Sequence, residues 1–321
     1  MNVLVIGGAG FLGSNLVRRC LAEPDVSVTV MDSLDPHLRP TTATLAEVWD
    51  RIQFVRGDIR DEHVLASLVQ GQDLIFNCAA QTSHPLSIQY PLLDAEINCV
   101  GNLKLLEAVR LLAREAVVVY TSSSTVIGKA SAAVVTEDHV EKPLEIYSAN
   151  KGVAEKYYRI YHTLHDLKTV VLRFANLYGP YGKGYPEFGF VNYFIDLAWR
   201  GEAIKVFGAG DQLRNLMYVE DATEVLWRAA ANPRLVGEVY FATGDEHHSV
   251  REIAETIVGV LGRGSVARVE WPEERRRTDV EAVRISSDRL RQVTGWRPRW
   301  SFKEGLERIR AVLERLERER R

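Results

Sequence analysis

The chain of 321 residues has little cysteine and almost no excess charge. Its three cysteines, Cys20, Cys78 and Cys99, are an odd number and form no Cys-x-x-Cys pair, so the sequence predicts neither a disulfide framework nor a metal site. This content suits a reducing cytoplasm. The 40 basic and 43 acidic residues leave a formal net charge of -3, without the basic excess of proteins that bind nucleic acid or anionic membranes.

Long apolar runs are also absent. No stretch of the sequence reaches the roughly 18 apolar residues of a membrane span. The first strand-like run begins at Asn2, which leaves no room for a signal peptide. We therefore expect a protein that is neither secreted nor inserted in a membrane. Hydrophobic residues still make up 46% of the chain, enough to fill the core of one large α/β unit and a smaller lobe.

Short runs rich in β-branched residues alternate with helical patterns over the first half of the chain. The runs that we predict as strands are 3–6, 26–31, 52–55, 74–76, 116–120 and 169–172. Strands that alternate with helices form parallel sheets, so the fold class is predicted as α/β, with a doubly wound, Rossmann-type parallel sheet.

Beyond Gly179 the pattern changes to loops rich in glycine, proline and tyrosine. Further strands are predicted at 203–207 and 238–242, which we place in a smaller mixed α/β lobe. Capping boxes at Ser249 and Ser301 predict two C-terminal helices. The domains are expected at residues 1–178 and 179–321. Some segments of the second are expected to return to the first.

A glycine-rich turn, GGAGFLG, follows the first predicted strand and opens a helix. Gly7, Gly10 and Gly13 allow a tight turn, a close approach of the backbone to a pyrophosphate and close packing of the helix. The motif alone is a weak indication, because it also occurs in simple turns. Asp32, 19 residues after Gly13, strengthens it, since a carboxylate there accepts hydrogen bonds from an adenosine ribose and repels a 2′-phosphate. The pattern predicts NAD rather than NADP.

The same cofactor site is expected to extend along the carboxyl edge of the sheet, where folds of this class bind ligands. The residues predicted to contact NAD, in addition to the three glycines and Asp32, are Phe11, Leu12, Asp58, Ile59, Ala79, Ala80, Tyr147 and Lys151. Taken singly, each of the loops that carry these residues could be an ordinary turn.

Tyr147 and Lys151 stand four residues apart, which places both side chains on one face of a helix. An ammonium beside a phenol stabilises the phenolate, so the tyrosine can act as a general base near neutral pH. The spacing alone equally fits an ordinary surface pair. However, the fifth predicted strand ends in the hydroxyl cluster TSSST, and Ser123 lies 24 residues before Tyr147. We interpret Ser123 as functional, and Ser122 and Ser124 as turn or cap residues.

These segments together resemble the extended short-chain dehydrogenase/reductases, in particular the UDP-galactose 4-epimerases and their nucleotide-sugar relatives. The segments that carry the resemblance are GGAGFLG, Asp32, GDIRD, CAA, TSSSTVIG, YSANK, LRFANLYGP, VFGAGDQLRNLMYVEDA and RRRTDV. The resemblance implies NAD as the cofactor and a catalytic triad of Ser123, Tyr147 and Lys151. Ser123 would bond the reacting sugar oxygen.

The resemblance also implies a nucleotide-diphosphate sugar as substrate, a UDP-sugar first of all. Asn176 would contact the substrate, and Arg214 and Arg276 would hold the diphosphate, which a guanidinium fork meets bidentately. Ser87 would lie in the sugar pocket, and Val283 would be a gate beside the C2 substituent. Helices predicted near 94–112 and 147–165 would pair across a homodimer, although their apolar stripes also fit ordinary coverage of the sheet.

Several positions depart from the family pattern: Ile127 replaces a tyrosine, Asn77 a histidine, Ile6 a threonine and Thr278 a glycine. These departures concern details of the sugar pocket.

The related 4,6-dehydratases carry an acid pair directly after the catalytic hydroxyl residue, where this chain has Ser124 and Thr125. Hydroxyl groups cannot do the acid and base work of dehydration. We therefore expect a 4-epimerase that works through a transient 4-keto sugar. A dehydrogenase, a 4-keto reductase and an epimerase at another carbon remain open, whereas a 4,6-dehydratase and a non-catalytic dinucleotide-binding protein are disfavoured.

Overall fold

The structure, a computed structural model, describes residues 1–39, 41–130, 132–271 and 284–319. The strands are β1 (Asn2–Ile6), β2 (Ser27–Asp32), β3 (Ile52–Arg56), β4 (Leu74–Asn77), β5 (Val117–Ser123), β6 (Val134–Val135), β7 (Lys168–Phe174), β8 (Asn176–Tyr178), β9 (Ala203–Phe207), β10 (Leu213–Tyr218), β11 (Val239–Ala242), β12 (His247–Ser249), β13 (Ser265–Val269) and β14 (Arg284–Ile285). The α-helices are α1 (Phe11–Leu21), α2 (Glu62–Val69), α3 (His84–Gln89), α4 (Pro91–Ala95), α5 (Gly101–Leu112), α6 (Ile146–His165), α7 (Phe190–Trp199), α8 (Val219–Ala230), α9 (Val250–Leu261), α10 (Asp288–Thr294) and α11 (Phe302–Glu319).

The central sheet has seven parallel strands in the order β11-β7-β5-β4-β1-β2-β3. The predicted doubly wound fold is confirmed. Strand order reverses between β1 and β4, because the chain first adds β2 and β3 on one side of β1 and then returns to the other. Loops diverge at such a reversal and leave a crevice at the carboxyl ends of the strands.

Helices cover both faces of the sheet, so β1 is apolar at successive positions. Val3 and Val5 face a core shared with α1 and α8, whereas Leu4 and Ile6 face a core shared with α2, α5 and α6. All four side chains are fully buried. Burial of such a side chain contributes about 1.5–3 kcal/mol, which explains why the strand is a continuous hydrophobic run rather than an alternating one.

The strand predicted at 238–242 lies in the central sheet and not in the smaller lobe. β11 pairs in parallel with β7, with Val239 opposite Val171. All four residues of β11 are buried, as in a strand that helices cover on both faces. α8, which precedes β11, packs against α1, so this helix and strand both lie on the central sheet.

The smaller lobe has a core of its own, built by α7, α9 and α11 against short strands. Its strands form the order β12-β10-β8 and the parallel pair of β13 with β9. Both predicted capping boxes are confirmed: Ser249 and Glu252 exchange hydrogen bonds of 2.8 and 3.1 Å at the start of α9, and Ser301 and Glu304 do the same before α11. Among the described residues, no helix is both long and apolar enough to cross a membrane.

Substitution of Gly13 should destabilise the fold, because its position in α1 has no room for a side chain. A Cβ atom there would lie 2.2 Å from the carbonyl oxygen of Gly7 and 2.7 Å from Cα of Gly8. We expect Gly13→Ala to lower the free energy of unfolding by about 1–3 kcal/mol, as overpacking does. Urea denaturation measures the effect.

Gly259 in α9 is the matched control, since nothing lies within 4 Å of its added Cβ. Gly259→Ala should leave stability unchanged or raise it by about 0.5–1 kcal/mol, because alanine favours a helix. Equal losses in the two variants would refute the steric argument.

Candidate active site

A cavity of about 580 Å³ opens at the carboxyl edge of the central sheet. Its wall begins at the ends of β1, β2, β4 and β5 and continues onto β8 and β10 of the smaller lobe. It lies at the reversal of strand order between β1 and β4, where open α/β sheets bind their ligands. This cavity is therefore the candidate active site.

The glycine-rich turn after β1 forms one end of the cavity wall. Gly7 has a φ of +77°, and a Cβ atom there would lie 2.6 Å from the backbone nitrogen of Ala79, so only glycine lets these loops approach each other. Gly10 caps α1 without a side-chain hydrogen bond, and the first turn of the helix holds no acidic residue. The N–H groups and the positive dipole end of α1 suit a pyrophosphate. Phe11, Leu12 and Gly13 also line the cavity.

Asp32 lies on the cavity wall at the end of β2. Its Oδ2 accepts a hydrogen bond from the backbone nitrogen of Ala9, and its Oδ1 accepts one from that of Leu34, both at 3.0 Å. Burial raises the pKa of Asp32, whereas the two backbone donors and the nearby Lys183 ammonium lower it. The carboxylate is held beside the glycine turn, where ribose hydroxyls would donate to its remaining lone pairs.

A loop of the smaller lobe, residues 179–189, crosses to the first domain near the end of β2. The Tyr181 hydroxyl donates to Glu47 at 2.8 Å, and the Lys183 ammonium donates to the carbonyl oxygen of Leu38. Lys183 and Leu38 line the same cavity as Asp32, so this crossing forms part of its wall. Sequence reasoning missed this role of the loop, because its contacts join residues 134 and 145 positions apart.

Lys151 is buried beneath the cavity with 2% of its surface exposed. Its ammonium donates to the carbonyl oxygen of Thr121 at 2.7 Å and lies 4.3 Å from the centroid of the Tyr120 ring. Burial lowers the pKa of Lys151 to about 8, although the carboxylate of Glu155 raises it. The side chain can therefore carry a positive charge at neutral pH next to the end of β5.

Tyr147 lies one helical turn before Lys151 on α6, and its hydroxyl approaches Ser123 at the end of β5. Burial raises the pKa of the phenol, and the hydrogen bond to Ser123 lowers it. The structure thus brings Ser123, Tyr147 and Lys151 to one place on the cavity wall. A phenol, a cation and a hydroxyl in this arrangement can exchange a proton with a sugar hydroxyl.

The remaining residues predicted to contact NAD also line the cavity. Asp58 follows β3 and pairs with Arg60 at 2.6 Å, and Ile59 beside it is 3% exposed. Ala79 and Ala80 follow β4. The positions agree with a dinucleotide that lies across the carboxyl ends of the strands.

Two of the predicted substrate residues lie on the part of the wall that the smaller lobe contributes. Asn176 donates to the carbonyl oxygen of Asn215 at 3.0 Å, and Arg214 lies on the neighbouring strand β10. Arg276 and Val283, which were predicted to hold the diphosphate and to form the gate, lie outside the described residues. The same holds for Thr278.

Ser87 is not on the described wall of the cavity. It lies in α3, is 0% exposed, and its hydroxyl donates to the carbonyl oxygen of His84 at 2.8 Å. The side chain faces the protein interior, and its hydroxyl satisfies the turn of its own helix. In this structure the Ser87 hydroxyl bonds within α3, and its place in the sugar pocket stays a prediction.

Asn77, one of the departures from the family pattern, is a buried structural residue at the end of β4. Its amide nitrogen donates to Asn102 at 2.8 Å and to the Tyr158 hydroxyl at 3.1 Å. Its amide oxygen accepts a hydrogen bond from the nitrogen of Ala79 at 3.1 Å. Asn77 thus holds the loop behind the cofactor turn. Ile127, in contrast, lines the cavity.

Sequence reasoning missed a polar group next to Tyr147. His84, at the start of α3, and Glu145, just before α6, pair with each other and line the cavity. The His84 and Tyr147 rings are 4.8 Å apart between centroids. Glu145 stands two residues before Tyr147 in the sequence, a position that could have drawn attention to it, whereas the approach of α3 has no local indication.

The chain from residue 3 to residue 241 matches the model of the NAD dependent epimerase/dehydratase family. The protein belongs to this family. It is therefore an enzyme that uses NAD, in agreement with the cofactor predicted from the glycine turn and Asp32.

Similar proteins include both classes of enzyme that the family name mentions. The UDP-glucose 4-epimerase of Mycolicibacterium smegmatis is 33% identical over 95% of this chain and 96% of its own length. The structure of the UDP-glucose 4-epimerase of Thermotoga maritima with UDP-glucose has a TM-score of 0.89 and 26% identity, and covers 98% of this chain and 99% of its own. The structure of the dTDP-glucose 4,6-dehydratase of Streptomyces venezuelae with NAD has a TM-score of 0.88 and 30% identity, and it covers 98% of this chain and 97% of its own. The likeness shows the family and leaves the reaction open.

The position of Asp32 predicts a preference between the two nicotinamide cofactors. The 2′-phosphate of NADP would meet the carboxylate, so NAD should bind at least tenfold more tightly, a difference of about 1.4 kcal/mol. Calorimetric titration of the protein freed of nucleotide measures both affinities.

Asp32→Asn should narrow the ratio of the NAD affinity to the NADP affinity, because the substitution removes the negative charge of the carboxylate and keeps an oxygen acceptor. Asp58→Asn is the matched control, since Arg60 already neutralises that carboxylate, and it should leave the ratio unchanged. Equal affinities of the unaltered protein for NAD and NADP would overturn the assignment.

Proposed function

We propose that the protein is an NAD-dependent nucleotide-sugar 4-epimerase of the UDP-glucose/UDP-galactose type, which works through a transient 4-keto sugar. The observation that carries the proposal is that Ser123, Tyr147 and the buried Lys151 lie together on the cavity wall, at the edge of the sheet where the cofactor turn lies. These groups serve chemistry at a single carbon.

In the proposed mechanism Tyr147 removes the proton of the C4 hydroxyl and later returns it. The Lys151 ammonium stabilises the phenolate through its positive charge, and Ser123 forms a hydrogen bond with the same sugar oxygen. A bound NAD, held by the glycine turn and Asp32, would supply reversible hydride transfer at C4. The cavity would let the 4-keto sugar turn over, which would present its other face to the cofactor.

The cavity wall supports the proposed substrate class through Asn176 and Arg214, which line it. Arg214 would hold the diphosphate through bidentate hydrogen bonds, and Asn176 would contact the sugar. By the family resemblance, Arg276 would be the second arginine on the diphosphate. A valine at position 283 would leave room beside C2, so we propose that UDP-N-acetyl sugars are tolerated. Three free cysteines suit the cytoplasm as the place of the reaction.

Dehydration is the second candidate, and one observation favours it. Ser124 and Thr125 occupy the positions after Ser123, where an acid pair would be needed, but the Glu145 carboxylate and the His84 imidazole line the same cavity. A carboxylate and an imidazole can do acid and base work. Loss of 18 mass units from the substrate distinguishes dehydration from epimerisation, which leaves the mass unchanged.

A panel of UDP-, dTDP-, CDP- and GDP-sugars tests the function, with products identified by mass spectrometry and NMR. We expect inversion at C4 of a UDP-hexose. Tyr147→Phe should lower kcat at least ~100-fold and leave nucleotide-sugar binding nearly intact, because a general base is lost without loss of packing.

Tyr157→Phe is the control, since it removes a hydroxyl from the same helix outside the described cavity wall. It should turn over like the unaltered enzyme. A Tyr147→Phe variant with ordinary turnover, or a product 18 mass units lighter than its substrate, would contradict the proposal.

We also propose a homodimer that forms through α5 and α6. Leu111 on α5 and Leu164 on α6 are 63% and 68% exposed, on helices that pack side by side on one face of the sheet. Exposed apolar patches of this kind mark protein interfaces.

Sedimentation velocity should show a dimer that Leu164→Glu dissociates. Trp49→Gln, on the opposite face of the sheet, should leave the dimer intact. If the unaltered protein is a monomer at micromolar concentration, the proposed dimer is wrong.

A further inference from the structure

A continuous series of polar side chains leads from Tyr147 to the surface through the cavity wall. Its first links are the approach of Ser123 to Tyr147, which is close enough to lower the pKa of the phenol, and the 2.8 Å contact of Ser123 Oγ with Thr125 Oγ1. From there the Ser148 hydroxyl lies 2.9 Å from Thr125 Oγ1 and 3.1 Å from Glu145 Oε1.

The last link is the pair of Glu145 with Nδ1 of His84. The burial of these groups changes along the series. Ser148 is 1% exposed, the side chain of Glu145 is 13% exposed and that of His84 is 43% exposed. All of these groups lie on the cavity wall, and their exposure increases from Ser148 to His84, which is the most exposed group of the series.

We propose that Ser123, Thr125, Ser148, Glu145 and His84 form a proton relay between Tyr147 and solvent. In this relay Glu145 and Ser148 are positioning residues that act on the reacting oxygen through Thr125 and Ser123. The relay rests on the proposed function, because it brings Tyr147 to the phenolate form that can accept the proton of the sugar hydroxyl.

Ser148 is the branch point of the relay. Its hydroxyl has one proton and two acceptors within reach, Thr125 and Glu145. When Glu145 is ionised, the charge-assisted bond to the carboxylate is the stronger. When Glu145 holds a proton, Ser148 donates to Thr125, Thr125 donates to Ser123, and the Ser123 hydroxyl points to the reacting oxygen. Hydroxyl groups suit this change because each can donate and accept after a rotation.

The relay transfers one proton and no electrons. As Tyr147 becomes a phenolate, its proton passes along the hydroxyls to Glu145, and His84 passes it to water. In the reverse direction each hydroxyl returns the proton it received, so that no bond other than O–H and N–H bonds is made or broken.

The neighbours of Tyr147 on the other side offer no such path. Lys151 is buried, and its ammonium donates to the carbonyl oxygen of Thr121, which has no proton to pass on. Asp94 of α4 is the other charge that acts on Tyr147; it is buried and accepts hydrogen bonds from the amides of Gln81 and Asn150. Within the described residues, the series through Glu145 is the route that these contacts trace to a solvent-exposed acid or base.

The rate at which Tyr147 ionises tests the relay without any sugar. Holoenzyme is jumped to alkaline pH in a stopped-flow instrument, and tyrosinate absorbance is followed as the difference from the Tyr147→Phe variant. Ser148→Ala and Glu145→Gln should each slow this ionisation at least tenfold. Thr163→Ala, which removes an exposed hydroxyl from the same helix, should ionise at the original rate.

Turnover gives the second readout. With an accepted sugar, Ser148→Ala and Glu145→Gln should lower kcat about tenfold and change KM less than twofold. Ionisation of Tyr147 at the original rate in both variants would overturn the relay, whatever the sugar panel shows. Slow ionisation together with no turnover of any sugar in the panel would leave the relay in place and reject the proposed function instead.

Discussion

The active site depends on the burial of one ammonium group. Lys151 lies in the interior of α6, and its bond to the Thr121 carbonyl fixes the helix against the end of β5. Its pKa falls from 10.5 to about 8, which corresponds to a cost of about 3 kcal/mol for a charge held away from water. The packing of α6 before and after Lys151 offsets this free-energy cost. In return, a cation lies one helical turn from Tyr147 and is buried away from water.

This one contact sets the positions of the other groups. Because α6 is held at the end of β5, Tyr147 one turn earlier meets Ser123 at the last residue of the strand. The residues just before the helix, among them Glu145, are brought against the start of α3. The glycine turn and Asp32 lie two and three strands away in the same sheet, so the parallel register fixes the distance from the cofactor turn to the phenol.

Much of this arrangement could be predicted because it is encoded by short spacings. The strand runs, the turn from Gly7 to Gly13, the position of Asp32 and the four-residue interval from Tyr147 to Lys151 are local patterns, and parallel sheets bring their carboxyl ends together. The place of β11 was missed, since hydrophobic periodicity does not tell which sheet a strand joins. Ser87 was assigned to the sugar pocket by resemblance, and in the structure it is buried in α3, so this assignment stays a prediction. The crossing of loop 179–189 and the pair of His84 with Glu145 depend on contacts far apart in the chain, which no local pattern reveals.

The fate of the hydrogen on C4 tests the central claim, that one buried cluster moves a proton and a hydride at a single sugar carbon. The accepted nucleotide sugar is labelled with deuterium at C4 and converted by the holoenzyme in ordinary water, and the product is read by NMR. The account predicts that deuterium stays on C4 of the inverted sugar. Deuterium at C6 of a dehydrated product, or deuterium released in reduced cofactor with a 4-keto product, would contradict it.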